Sequence, residues 1–181
     1  MFTLQLGHPK ITAQHFPEFS AVKQVFLSLF REEEESVYLF WNEIPIQLRY
    51  RQDLAINIDE IIAMNWLLQK EPSGKASATF SNQLIEFKLE LYWKEDELTL
   101  HSNFTAHEDL YIPYANSLNT AGTLTLSKQA FLHEWKTLLH QILVAFEAGD
   151  IQIQDGQERR KLELLQRTEQ TITQYGRLYT R

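Results

Sequence analysis

Histidines and carboxylates are the side chains that could hold a metal or move a proton here, and their spacing argues against a metal. Of the six histidines, His133 and His140 share a helix face but stand about two turns apart. Joint ligation of one ion asks for about one turn, as in His-Glu-x-x-His, and Thr137 occupies the place of the second histidine. His8, His15 and His101 have no acidic or histidine neighbour at ligand spacing. His107-Glu108-Asp109 is richer, but adjacent side chains seldom converge on one cation, so it reads as a solvated loop. No metal ligand is assigned.

Covalent chemistry finds no better footing. There is no cysteine, so neither a thiolate site nor a disulfide framework exists. Gly-x-Ser-x-Gly is absent, and neither Ser73 nor Ser81 is followed at the third place by lysine. The six glycines are scattered singly beside predicted element ends, which leaves no phosphate-cradling loop and no dinucleotide fingerprint. Carboxylates abound, but a catalytic pair is defined by its separation in space. The chain is expected to be non-catalytic and to need no cofactor.

Two stretches remain as binding elements. Glu32, Glu33, Glu34 and Glu35 form a run of like charge, read either as a solvated turn or as an anionic patch for a partner's lysines and arginines. The second stretch holds Glu108, Asp109, Tyr111, Pro113 and Tyr114. Tyrosines beside carboxylates are a common composition for interface anchors, because tyrosine buries area at low entropy cost. In the bland alternative, Tyr111, Ile112 and Tyr114 plug the end of the core.

The net charge is −7 over 181 residues. Residues 1–149 carry −8 and residues 150–181 carry +1, so the acidic excess lies in the body. It opposes nucleic-acid binding and favours a basic partner, or serves solubility alone. No apolar run approaches the ~20 residues that span a bilayer, and the N-terminus has no basic segment followed by an apolar one. The expected place is the cytoplasm, with no membrane partner.

The elements that position these residues are organised around Ser127–Gly149. Phe131, Trp135, Leu138, Leu139, Ile142, Leu143 and Phe146 recur at helical steps, with Ser127 as N-cap and Gly149 as a left-handed end. A face so wide and aromatic needs a sheet opposite it. Strands are expected over Phe2–Leu6, Val37–Trp41, Ile44–Tyr50, Ala76–Phe80, Leu84–Trp93, Glu97–Phe104 and Thr123–Leu126. A helix opened by Pro17 carries Phe19, Val22, Val25, Phe26, Leu29 and Phe30, and a capping box at Asn57 and Glu60 opens another. Thr105–Ala121 lacks periodicity and reads as a long, functional loop. The expected fold is a single α+β domain over 1–181. It is mainly an antiparallel sheet of about six strands, with the 128–148 helix on one face and a more polar, peripheral helix over 157–181.

In type and rhythm, the meander at 76–104 and the helix at 127–149 with its Phe-Leu-His-Glu-Trp opening resemble small acidic bacterial immunity proteins. Those proteins neutralise polymorphic or contact-dependent toxins. The resemblance implies a soluble, non-catalytic inhibitor that occludes a basic toxin domain, and it assigns no residue. Two other readings stay open. One is a small-ligand pocket lined by Trp41, Trp66, Trp93 or Trp135; the other is a subunit of a homo-oligomer.

Overall fold

A computed structural model describes residues 1–11, 18–31 and 36–178, with side chains left out at 18 and 168–178. Pro17 and the run Glu32–Glu35 lie outside the described residues. In chain order come β1 (Phe2–Leu6), β2 (Glu18–Phe19), α1 (Val22–Leu29), β3 (Ser36–Trp41), β4 (Ile44–Arg49), α2 (Ala55–Lys70) and β5 (Ser73–Ser81). They are followed by β6 (Ile85–Lys94), β7 (Glu97–Ala106), α3 (Ile112–Thr120), β8 (Leu124–Ser127), α4 (Lys128–Ala148), β9 (Gln152–Ile153) and α5 (Gly156–Leu178).

The class is α+β. Its antiparallel strands divide between a three-stranded sheet, β1-β3-β4, and a four-stranded meander, β5-β6-β7-β8. A small parallel pair, β2 with β9, sets the segment before α1 beside the one after α4. The tight Asn42-Glu43 turn is made by two residues with positive φ, 49° and 75°, the conformation that matches the twist of a two-residue hairpin. Along β6, Ile85, Phe87, Leu89, Leu91 and Trp93 are buried while Glu86, Lys88 and Tyr92 face solvent. That is the alternation of a sheet with one wet face.

Helix α4 supplies the opposite wall. The seven apolar side chains spaced for one face are all buried. Trp135 lies nearly parallel to Phe80 of β5 at 6.0 Å and also meets Phe2 of β1 at 6.2 Å, so this one helix unites both sheets. Ser127 caps it, its Oγ accepting from Ala130 N at 3.2 Å. Gly149 does not take the left-handed conformation: its φ is −84°, and the positive φ falls on Asp150, at 48°. A Cβ on Gly149 would stand 2.8 Å from Leu29 Cδ2, so close approach of α1 explains the glycine.

Three further expectations are corrected. Asn57 does not open α2, because the chain enters through a π turn at Tyr50–Leu54 and the helix begins at Ala55. Buried Asn57 instead donates to Asp53 O and Ser81 O, at 2.7 and 2.8 Å, and accepts from Ser81 N at 3.0 Å. Ser73 and Gly74 belong to β5, not to the stop after α2; the ring of Trp93 fills the space where a side chain at Gly74 would go. The interval from Thr105 to Ala121 is not a loop: β7 runs to Ala106, a 3-10 turn follows at Asp109–Tyr111, and α3 occupies the rest.

α5 is docked over its first turns rather than peripheral there. Asp155 accepts from Gln157 N and Glu158 N at 2.8 and 3.0 Å; the Glu158 and then the Gln157 amide hold its carboxyl below the usual range. Glu158 accepts from Val22 N at 2.9 Å, Lys161 reaches Asp59 at 2.8 Å, and Leu165 is wholly buried. Among the described residues, no helix is long and apolar enough to cross a membrane.

Candidate functional site

Of the residues singled out in the sequence, Glu108, Asp109, Tyr111 and Tyr114 come together at the tip formed by the 3-10 turn and the start of α3. Glu108, in extended conformation with φ −134°, leads into the turn, and Tyr111 N donates to its carbonyl at 3.0 Å. Glu108 and Asp109 both face solvent. Beside them stand Leu110, 76% exposed, and Ile112 at the start of α3, 44% exposed. No other large apolar side chain among the described residues is as exposed as Leu110.

The tip is braced from behind. Pro113 sits in the first turn of α3, where its missing N–H costs nothing. Ala115 and Leu118 are buried against the body. Asn119 locks the helix to β7, accepting from Phe104 N and donating to Phe104 O, both at 2.9 Å. Gly122, with φ +65°, then reverses the chain into β8, a conformation costly for a residue with a Cβ. At the front, the Tyr114 hydroxyl donates to Pro45 O of β4 at 2.6 Å. Side chains that would otherwise wander are therefore held on a fixed backbone.

Burial pushes the Tyr114 phenol up to about 12. A raised phenol pKa means that the folded state keeps its proton longer than the unfolded state, whose tyrosine titrates near 10. The stability tied to this group is fully present below about pH 10 and is lost as pH rises towards 12, about 1–2 kcal/mol after allowance for solvent screening. Tyrosinate absorbance should show the Tyr114 phenol titrating late in the folded protein. Tyr114→Phe should reduce the late amplitude by one phenol, whereas an unchanged late amplitude would show that Tyr114 titrates normally.

Neither Leu110 nor Ile112 is assigned to the binding surface from the sequence. Helical steps do not mark them as outward: Leu110 stands four and eight positions before Tyr114 and Leu118, and Ile112 three before Ala115, so spacing sets both at the border of the buried stripe. Their exposure in the fold, 76% and 44%, is what shows that they face water. Tyr111 is half-buried and Tyr114 braces β4, so the carboxylates and the two aliphatic residues form the outer surface.

Other features are accounted for structurally. His107 Nε2 lies 3.1 Å from Asn82 O and 3.2 Å from Ser81 Oγ, at the β5–β6 turn. Among the described residues no three His, Asp or Glu side chains group as a metal site. Trp41 and Trp135 are wholly buried among rings, Trp93 donates its indole N–H to Glu71 O at 2.9 Å, and Trp66 lies on the outer side of α2. The tryptophans thus do not converge on one pocket. A depression of about 270 Å³ at the end of α2 includes Lys70, Lys128 and Leu132. Lys128 is buried there, donating to Glu71 O at 3.3 Å, and burial holds its ammonium below the usual lysine range. It meets the carbonyl end of α2, the place where a cation is favoured.

No family model, curated protein or solved structure matches the chain.

Proposed function

We propose that the protein is a non-catalytic binding protein of the immunity type, which occludes a basic toxin or effector domain by docking the 108–112 tip against it. The observation that carries this reading is Leu110, exposed to 76% beside Glu108 and Asp109 on a backbone braced at Tyr114 and Asn119. An apolar residue held rigidly in water is a cost to the free protein that burial in a partner pocket removes. The flanking carboxylates add steering towards lysine- and arginine-rich surfaces, consistent with the acidic body. Occlusion needs no chemistry from the chain, only a rigid, complementary surface.

The test is capture of a basic partner from lysate and secretions of the source organism at low and high salt. A stoichiometric basic protein, held at low ionic strength and released as salt rises, is the expected result. Tight binding indifferent to salt would remove the electrostatic part, and recovery of bait copies alone would remove the reading.

A further inference from the structure

We infer that the outer edge of β5 is a second docking site, for an extended segment of a partner protein with acidic side chains at alternate positions. This does not rest on the tip. On β4, β1 and the far part of β7, side chains take several of the outward main-chain groups. On β4, Tyr114 takes Pro45 O, Asn82 takes Gln47 O and Asp53 takes Arg49 N, at 2.6, 2.9 and 2.8 Å. Glu134 accepts from Leu4 N of β1 at 2.7 Å, and Asn119 closes β7 beyond the reach of β8.

β5 is treated differently. Asn82 N donates to Ile85 O and Glu95 N to Pro72 O, at 3.0 and 2.7 Å, which fixes the parity of the β5–β6 ladder. Gly74, Ala76, Ala78 and Phe80 exchange hydrogen bonds with β6, while Lys75, Ser77, Thr79 and Ser81 turn theirs outward. Asn57 satisfies Ser81. The outward amides and carbonyls of Lys75, Ser77 and Thr79 have no hydrogen-bond partner among the described residues, and all three residues are exposed. Apart from Lys75, every residue from Ser73 to Thr79 is Ser, Gly, Ala or Thr, so another strand can approach to the ~4.8 Å of a ladder.

Charge selects the occupant. Lys75 makes no ion pair among the described residues and borders a depression of about 270 Å³ with Ser77, Lys88, Glu90 and Tyr92. Glu90 is already engaged by Lys88 at 3.1 Å and by the Tyr92 hydroxyl at 3.3 Å, which leaves Lys75 uncompensated. In an otherwise acidic chain, this edge invites carboxylates. A second copy fits worse: antiparallel self-pairing about Ser77 would set each Lys75 opposite the other's Thr79, one strand from Lys88. Main-chain pairing would supply affinity, and alternate carboxylates specificity.

Amide exchange of the full chain, followed residue by residue with the synthetic peptide acetyl-Thr-Glu-Val-Glu-Thr-Glu amide and its lysine counterpart, tests this. The acidic peptide should slow exchange of the Lys75, Ser77 and Thr79 amides about tenfold or more, and the lysine peptide should bind at least about fivefold more weakly. Ser77→Pro removes an outward N–H without touching the ladder to β6, so it should abolish the protection in a folded protein. If the proline variant does not fold, Lys75→Glu decides, by reversing the preference between the peptides. No protection at millimolar peptide, or equal binding of both peptides, overturns the proposal. So does protection that grows with protein concentration in the absence of peptide, which would give the edge to a second copy.

Discussion

Trp135→Ala should lower the unfolding free energy by about 3–5 kcal/mol, enough to take much of a typical domain's stability. Trp135 is wholly buried and contacts Phe80 of the long sheet, Phe2 of the short sheet and Phe131 of its own helix, at 6.0, 6.2 and 6.2 Å. Truncation opens a cavity where three elements meet, and none can collapse into it without leaving the other two. Trp135→Phe separates packing from polarity. The indole N–H has no acceptor among the described residues, and leaving such a donor buried costs about 1–3 kcal/mol. Phenylalanine removes that donor as it loses volume, so its net cost should stay below about 2 kcal/mol. Denaturant unfolding of the two variants checks this; equal, large losses would mean that the ring edge does more than fill space.

Leu110→Asp should weaken binding of the partner by about thirtyfold or more while leaving the melting temperature unchanged. A hot-spot side chain is worth about 2 kcal/mol or more at an interface, whereas this one, 76% exposed, contributes little packing to the free fold. Glu108→Ala and Asp109→Ala should each cost only a few-fold, chiefly in association rate and mainly at low salt, as rim charges do. Titration calorimetry against the captured partner would measure all three. If Leu110→Asp bound normally while the acidic variants failed, the tip would be an electrostatic patch without an anchor. If all three bound normally, the tip would not be the docking surface.

How far the sequence reached follows from which forces act locally. The seven-residue stripe of α4, the alternation of β6 and the Asn42-Glu43 turn are each fixed by neighbours within a few residues, and they were legible. The way the two sheets are joined was not, since it depends on Asn82 bridging to Gln47 O and on Trp135 meeting both Phe80 and Phe2. Asn57 misled for the same reason. Its type and its spacing to Glu60 suit a cap, but Ser81, twenty-four positions away, claims its amide. In α3 a short helix carries a weak stripe diluted by Asn116, Ser117 and Asn119, and only Asn119 bonded to Phe104 shows why it is ordered. At the 108–112 tip the tyrosines and carboxylates stand out by composition, whereas the exposure of Leu110 is seen only in the fold, since composition alone marks it as core.

Hydrogen exchange on the complex with the captured basic partner is the most direct test of the central claim. Slowed exchange across residues 108–112, with the partner's active-site segment protected in turn, is the predicted result. Unchanged exchange at 108–112, with protection confined to other surfaces of the chain, would contradict it.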